Sequence, residues 1–290
     1  MMRHITSTRT MTRRLAIGFS CVAALALAQG NAAAQVTGTL YFSVDSNTNG
    51  LYTLSTITGQ ATHVGISGVD GGTVGLAESG TPGVLLGGQP FGFLHINADG
   101  SGAVQVNPNP VLEGLAYDPV NDVAYGWWQS SGFNSYDPAT GNVIAALAGP
   151  PGGADVEGLA YANGFIYGLA GFFGPQGFLY RYDIGNNFWS FVGDTGIDFV
   201  ENGLAYDPLL NTLYAIGSQD GNLYRVNPLN AFTQVIGPTG LGPMGGGLAF
   251  VRGVIPEPTS VLLWGLGSAT IFAFARRNRA DRTTIGHGSK

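Results

Sequence analysis

The fold this sequence predicts is all-β, a propeller of five four-stranded blades, and three observations point to it. A short motif returns through the middle of the chain at a nearly constant step. The segments between its copies break into short runs of aromatic and β-branched residues separated by turn formers. The composition, with 47 glycines and 10% charged residues, suits tight turns and closely packed blades.

The motif reads Glu113-Gly114-Leu115-Ala116-Tyr117-Asp118-Pro119 and recurs as Glu157-Gly158-Leu159-Ala160-Tyr161. It returns as Gly203-Leu204-Ala205-Tyr206-Asp207-Pro208, with worn copies at Gly75-Leu76-Ala77 and Gly247-Leu248-Ala249-Phe250. From glycine to glycine the steps are 39, 44, 45 and 44 residues. A period of about 40–50 residues is one four-stranded blade per repeat.

The third unit supplies the template, with strands expected over 203–206, 212–216, 222–226 and 233–236. Asp118-Pro119 and Asp207-Pro208 initiate turns. The loops 56–59 and 137–141 each end in a glycine placed for a positive φ, as hairpins require. The first unit has strands at 39–43, 51–54 and 61–64 but lacks its Gly-Leu-Ala strand, whereas the last strand, 247–251, has nothing after it. Joined, they complete one blade, close the ring and remove two exposed sheet edges. The pattern is weakest over 65–109, where a degenerate sixth unit would have to lie. Leu115, Tyr117, Leu159, Tyr161, Leu204 and Tyr206 are expected to pack between blades. No stretch of this body has the length and 3.6-residue period of an amphipathic helix.

The two ends of the chain read as addresses. Residues 1–34 form a signal peptide and N-terminal helix, with Arg3, Arg9, Arg13 and Arg14 ahead of an apolar run over 15–28. Ala32 and Ala34 mark the cleavage site before Gln35. Arg13-Arg14 lacks the flanks of a twin-arginine signal, and Gly18-Phe19-Ser20 before Cys21 is a poor lipobox, so the general secretory route is favoured. Cleavage there leaves a mature chain with no cysteine, hence no disulfide, thiol nucleophile or thiolate metal site. After the propeller, 35–253, comes a linker, 254–258, carrying Pro256-Glu257-Pro258. An uncharged apolar run follows at 259–275, then a basic tail, 276–290, headed by Arg276 and Arg277. The run is near the lower length for a transmembrane helix, roughly 17–25 residues, and the arginines behind it should stay cytoplasmic.

Motif, span and arginines in that order resemble the PEP-CTERM sorting signal of Gram-negative bacteria. The resemblance implies recognition and cleavage by exosortase, a membrane protease-transpeptidase, and association with an exopolysaccharide matrix. The tail after Arg279 is longer than the family pattern, which leaves a permanent single-span anchor as the alternative. The blades resemble those of bacterial secreted propellers of the NHL and lactonase-like kind, at the level of blade pattern.

Charge narrows the partners. Between Gln35 and Pro258 stand all 18 acidic residues except Asp281, against Arg181, Arg225 and Arg252 and no lysine. A body this acidic is repelled by nucleic acid and by anionic membrane surfaces.

Glu113 and Glu157 precede the same glycine in consecutive repeats, and Glu201 stands one residue earlier in the next. If the Gly-Leu-Ala strand is innermost, these carboxylates gather at one mouth of the channel. There they either cap their own turns or share a site that holds Ca²⁺ or catalyses sugar hydrolysis. No other cofactor is expected. His63 and His95 have no partner at metal-ligand spacing and read as structural or surface residues. Trp127-Trp128 and Phe172-Phe173 follow the same strand position in successive blades, where one of each pair should pack and the other face out. No nucleophile elbow, phosphate loop, dinucleotide fingerprint or EF-hand loop is present. The reading that joins these features is an exported binding or structural propeller at the cell surface, partnered by an exosortase-type protease, the membrane and surface polysaccharide. The rival is a hydrolase or lyase acting on carbohydrate or a lactone.

Overall fold

A computed structural model describes residues 36–174 and 176–254. The signal segment with Ala32 and Ala34, the Pro256-Glu257-Pro258 motif, the apolar run 259–275 and the tail with Arg276 and Arg277 lie outside the described residues. Among the described residues no helix is long and apolar enough to cross a membrane.

Gly38–Gly253 form one compact unit. It contains five antiparallel sheets of four strands. The first blade runs β20-β1-β2-β3, from β1 (Val36–Ser43), β2 (Leu51–Leu54), β3 (Ala61–Gly65) and β20 (Leu248–Val254). The second is β4 (Gly75–Glu78), β5 (Val84–Gln89), β6 (Gly92–Asn97) and β7 (Ala103–Asn107), so the weak stretch of sequence is an ordinary blade and hides no sixth. The third is β8 (Gly114–Asp118), β9 (Val123–Trp128), β10 (Gly132–Tyr136) and β11 (Val143–Ala146). The fourth is β12 (Val156–Ala162), β13 (Phe165–Ala170), β14 (Phe178–Asp183) and β15 (Phe188–Asp194). The fifth is β16 (Gly203–Asp207), β17 (Thr212–Ile216), β18 (Asn222–Val226) and β19 (Thr233–Pro238). Closure is as the half-units demanded: β20 joins β1, and Ser43 N–H donates to Gly247 C=O at 3.0 Å.

The repeated motif is the inner strand of each blade, and the reason for its glycine is contact between blades. A Cβ on Gly114 would lie 2.8 Å from the Glu157 carbonyl oxygen, and one on Gly203 would lie 2.5 Å from that of Gly246. A Cβ on Gly247 would meet Leu76 N at 2.3 Å, which carries the same contact across the closure. Behind the glycines come three layers around the axis. Leu76, Leu115, Leu159, Leu204 and Leu248 form the first, each at most 2% exposed. Alanines form the second, and Glu78, Tyr117, Tyr161, Tyr206 and Phe250 the third. These layers leave an axial cavity of about 30 Å³, room for about two water molecules. Truncating one of the leucines to alanine should cost about 2–5 kcal/mol.

Of the tyrosines expected between blades, Tyr117 is buried, whereas Tyr161 and Tyr206 are partly covered. Their hydroxyls hold the turns that follow: Tyr117 donates to Asp122 at 2.8 Å and Tyr206 to Asn211 at 2.9 Å. Asp118 and Asp207 initiate those turns by accepting the N–H two residues on, at 2.9 and 2.8 Å. The hairpin glycines stand where a positive φ is needed, Gly59 at 83° and Gly141 at 65°.

Candidate functional site

The inner strands all begin at one mouth of the channel, and there the chain gathers acid. Glu113 stands just before β8 and Glu157 within β12, so the two come from neighbouring blades. Asp155, which the sequence reading passed over, joins them. One carboxylate oxygen from each of Glu113, Asp155 and Glu157 lies within 4.8 Å of the others. Asp155 and Glu157 are buried, and Glu113 is half-buried.

Local structure aims each side chain. β12 carries a bulge between Val156 and Gly158, which places Glu157 off the regular alternation and turns it toward the mouth. Its Oε1 accepts the Phe172 N–H at 3.3 Å, and its Oε2 accepts the Asn202 N–H at 3.2 Å. Glu157 therefore ties blade four to blade five and does not cap its own turn. Asp155 is fixed by the buried Trp127 indole, which donates to its Oδ1 at 2.8 Å. No hydrogen bond reaches the Glu113 side chain among the described residues.

Electrostatics follow from that packing. Burial pushes the Glu113 carboxyl up to about 8, with the nearby charges of Glu157, Asp155 and Glu201 adding to the effect. Burial and Asp155 push Glu157 up to about 7, against the two backbone N–H groups that stabilise its charged form. The three arginines of the body are occupied elsewhere. Arg252 pairs with Glu78, Arg181 lies over the Phe165 ring, and Arg225 donates to the Thr56 carbonyl.

Glu201 takes a different place. It is exposed, its backbone is left-handed at φ 45°, and it faces Asp45 across Gly245. Both carboxyls are raised, each chiefly by burial. Glu201 contributes charge to the mouth from outside the close group. The blade-five residue that aligns with Glu113 and Glu157 is Asn202, immediately before Gly203, and the sequence reading missed it. Aligning strictly on the repeat glycine gives Glu, Glu, Asn in three successive blades. Asn202 is 3% exposed, and its side-chain Oδ1 and Nδ2 both lack a hydrogen-bond partner. Leaving such a group unpaired costs about 1–3 kcal/mol. Its side chain sits beside Glu157: the position a Cβ on Gly171 would take is 2.3 Å from Glu157 Oε2 and 3.0 Å from Asn202 Nδ2.

A pair of exposed aromatic residues lies in the loop bonded to this group. Phe172 and Phe173 lie in the loop after β13, not on the strand, and both are exposed, at 55% and 49%. Their rings meet edge to face at 4.8 Å. The loop is pinned to the acidic segment, because Gly171 N–H donates to the Asp155 carbonyl at 2.7 Å and Asp155 N–H to that of Phe173 at 3.2 Å. In blade three Trp127 packs and Trp128 is partly exposed, as alternation requires. His63 and His95 each bond a backbone carbonyl, of Asn49 at 3.0 Å and Pro138 at 2.8 Å, away from the acids.

No protein-family profile and no curated protein sequence matches the chain. In structure it is similar to a chain in the crystal structure of a nidogen/laminin complex, itself a propeller. That likeness has a TM-score of 0.50 at 11% identity and covers 74% of this chain and 98% of that one. It supports the fold alone.

Proposed function

We propose that the chain is an exported binding propeller, delivered by its signal peptide and sorted through its PEP-CTERM tail to the cell surface or an extracellular polysaccharide matrix. The observation that carries the binding role is the exposed Phe172-Phe173 pair on the loop hydrogen-bonded to the acidic mouth. Aromatic faces beside fixed carboxylates suit a polyhydroxylated ligand: ring C–H faces stack on the phenyls and hydroxyls donate to the acids. The catalytic alternative draws on the close approach of Glu113 and Glu157 and on their raised pKa values, a pairing that sugar hydrolases use. Burial of Glu157 and the engagement of both its oxygens by backbone N–H groups favour a fixed scaffold over a nucleophile that must meet substrate. The detergent-solubilised full chain on a glycan array should retain ligand and release no new reducing ends. Retention should fall in Phe172→Ala/Phe173→Ala, and turnover of a bound glycan would overturn the binding reading. For sorting, intact mass of the surface fraction should show loss of the segment after about residue 258. Lys290 still attached there would leave a plain anchor.

A further inference from the structure

We infer that Glu113, Asp155, Glu157 and Asn202 form a divalent-cation site, of the hard, oxygen-ligating kind that takes Ca²⁺, joining blades three, four and five. Three facts converge on it. Three carboxylates bring an oxygen each to within 4.8 Å of one another, a crowding in which all three stay ionised together only if a counter-charge stands among them. The three arginines of the body are engaged with other groups, so no side-chain cation of the described residues serves this mouth. The Asn202 carboxamide, 3% exposed and without a partner at either atom, lies against Glu157. Half a turn about its last torsion exchanges nitrogen for oxygen and offers the ligand that three carboxylates lack.

The donor set selects the ion. Three carboxylates and one amide are all oxygen, with no imidazole or thiolate to favour zinc or copper. Ca²⁺ accepts six to eight oxygens in flexible geometry, and the half-exposed Glu113 side leaves room for water to complete the shell. Mg²⁺ needs a compact octahedron, which groups anchored on three separate blades do not readily form. The ion would add to the hydrogen bonds by which Trp127 holds Asp155 and Glu157 holds Asn202 across the same blades, and it requires no glycan to bind.

The test is calorimetric titration of EDTA-treated full chain in detergent with CaCl₂ and, separately, MgCl₂, paired with thermal unfolding. Saturable binding of one Ca²⁺ per chain and a higher melting temperature are expected, with Mg²⁺ at least tenfold weaker. Asn202→Ala and Glu113→Gln should each weaken Ca²⁺ at least tenfold, and Glu78→Gln at the opposite mouth should leave it unchanged. Neither variant breaks a side-chain hydrogen bond formed among the described residues, and circular dichroism shows whether each is folded. Absence of Ca²⁺ heat and of any melting shift in the parent chain would overturn the inference. So would full Ca²⁺ affinity in folded Asn202→Ala and Glu113→Gln. A glycan-array failure would not bear on it, since the titration contains no sugar.

Discussion

At one mouth of the channel Glu78 meets Arg252 at 3.1 Å; at the other, Glu113, Asp155 and Glu157 meet one another. Both mouths are ends of the same five inner strands. At the Glu78 end the third residue after each glycine supplies the rim, and three tyrosines and a phenylalanine dilute a single carboxylate that has its own arginine. At the other end the residue just before each glycine supplies the rim: Val74, Glu113, Glu157, Asn202 and Gly246. Three consecutive blades place oxygen there, and no side-chain cation of the described residues meets it. A repeat fixes where a side chain stands but not what compensates it. The two ends thus differ in how charge is met: at one the carboxylate has its own arginine, and at the other the carboxylates face one another.

The largest effect comes from removing what both mouths share. Deleting residues 247–251 takes away the fifth inner strand, with buried Leu248, Ala249 and Phe250, and leaves β1 as an open edge. Losing two large buried side chains at about 2–5 kcal/mol each, at roughly 2–4 °C per kcal/mol, predicts a melting temperature lower by about 10–40 °C, with aggregation. Truncation after residue 255 should change it little. Equal melting temperatures for the two would refute the ring closure.

A second, intermediate effect separates the mouths by pH. Glu113 and Glu157 hold protons more tightly when folded, near 8 and 7, than at the ordinary value of 4.5. The folded state therefore binds more protons across this range, and stability falls as pH rises. Their contribution is complete below about pH 4.5 and is lost as pH passes through 7 and 8. In EDTA the urea midpoint should drop between pH 5.5 and 8.5, and Glu113→Gln/Glu157→Gln should flatten the drop. A midpoint rising with pH in EDTA would contradict this ordering.

The smallest effect belongs to the settled mouth. Arg252 is 42% exposed, so its pair with Glu78 is a surface interaction worth about 0.2–1 kcal/mol. Arg252→Ala should lower the melting temperature by about 1–3 °C and leave the response to Ca²⁺ as in the parent chain. A changed Ca²⁺ response would mean that the two ends communicate.

The blades were legible in the sequence because their signals are local. Short aromatic runs, Asp-Pro turns and a glycine that no other residue can replace at the blade contact repeat often enough to be counted. The acidic mouth was legible only in part. Glu113 and Glu157 stood out by their shared place before a glycine, but Asp155 belongs to no repeat. It reaches the site from the residue just before β12 and is held there by a tryptophan hydrogen bond, which tertiary packing sets. Its one sequence signal is the Asp-x-Glu spacing, which would put two carboxylates on one face of a regular strand, although here Asp155 precedes the strand and a bulge displaces Glu157. Glu201 drew notice by its charge although its left-handed backbone turns it toward Asp45, while the uncharged Asn202 held the equivalent position. Likewise, the Phe172-Phe173 spacing mimicked a strand end, yet the strand stops at Ala170 and both rings are free.

The central claim is that Glu113 and Glu157 act as one site and not as two separate turns. A double-mutant cycle tests it most directly, using Glu113→Gln, Glu157→Gln and the pair in EDTA at pH 8.5, with stability read from urea unfolding. If the carboxylates share a site, the first substitution relieves repulsion that the second cannot relieve again. The pair should then stabilise by less than the sum of the singles, with a coupling of about 0.5–3 kcal/mol. Additivity within about 0.3 kcal/mol, with each single slightly destabilising, would show two independent turns and contradict the account.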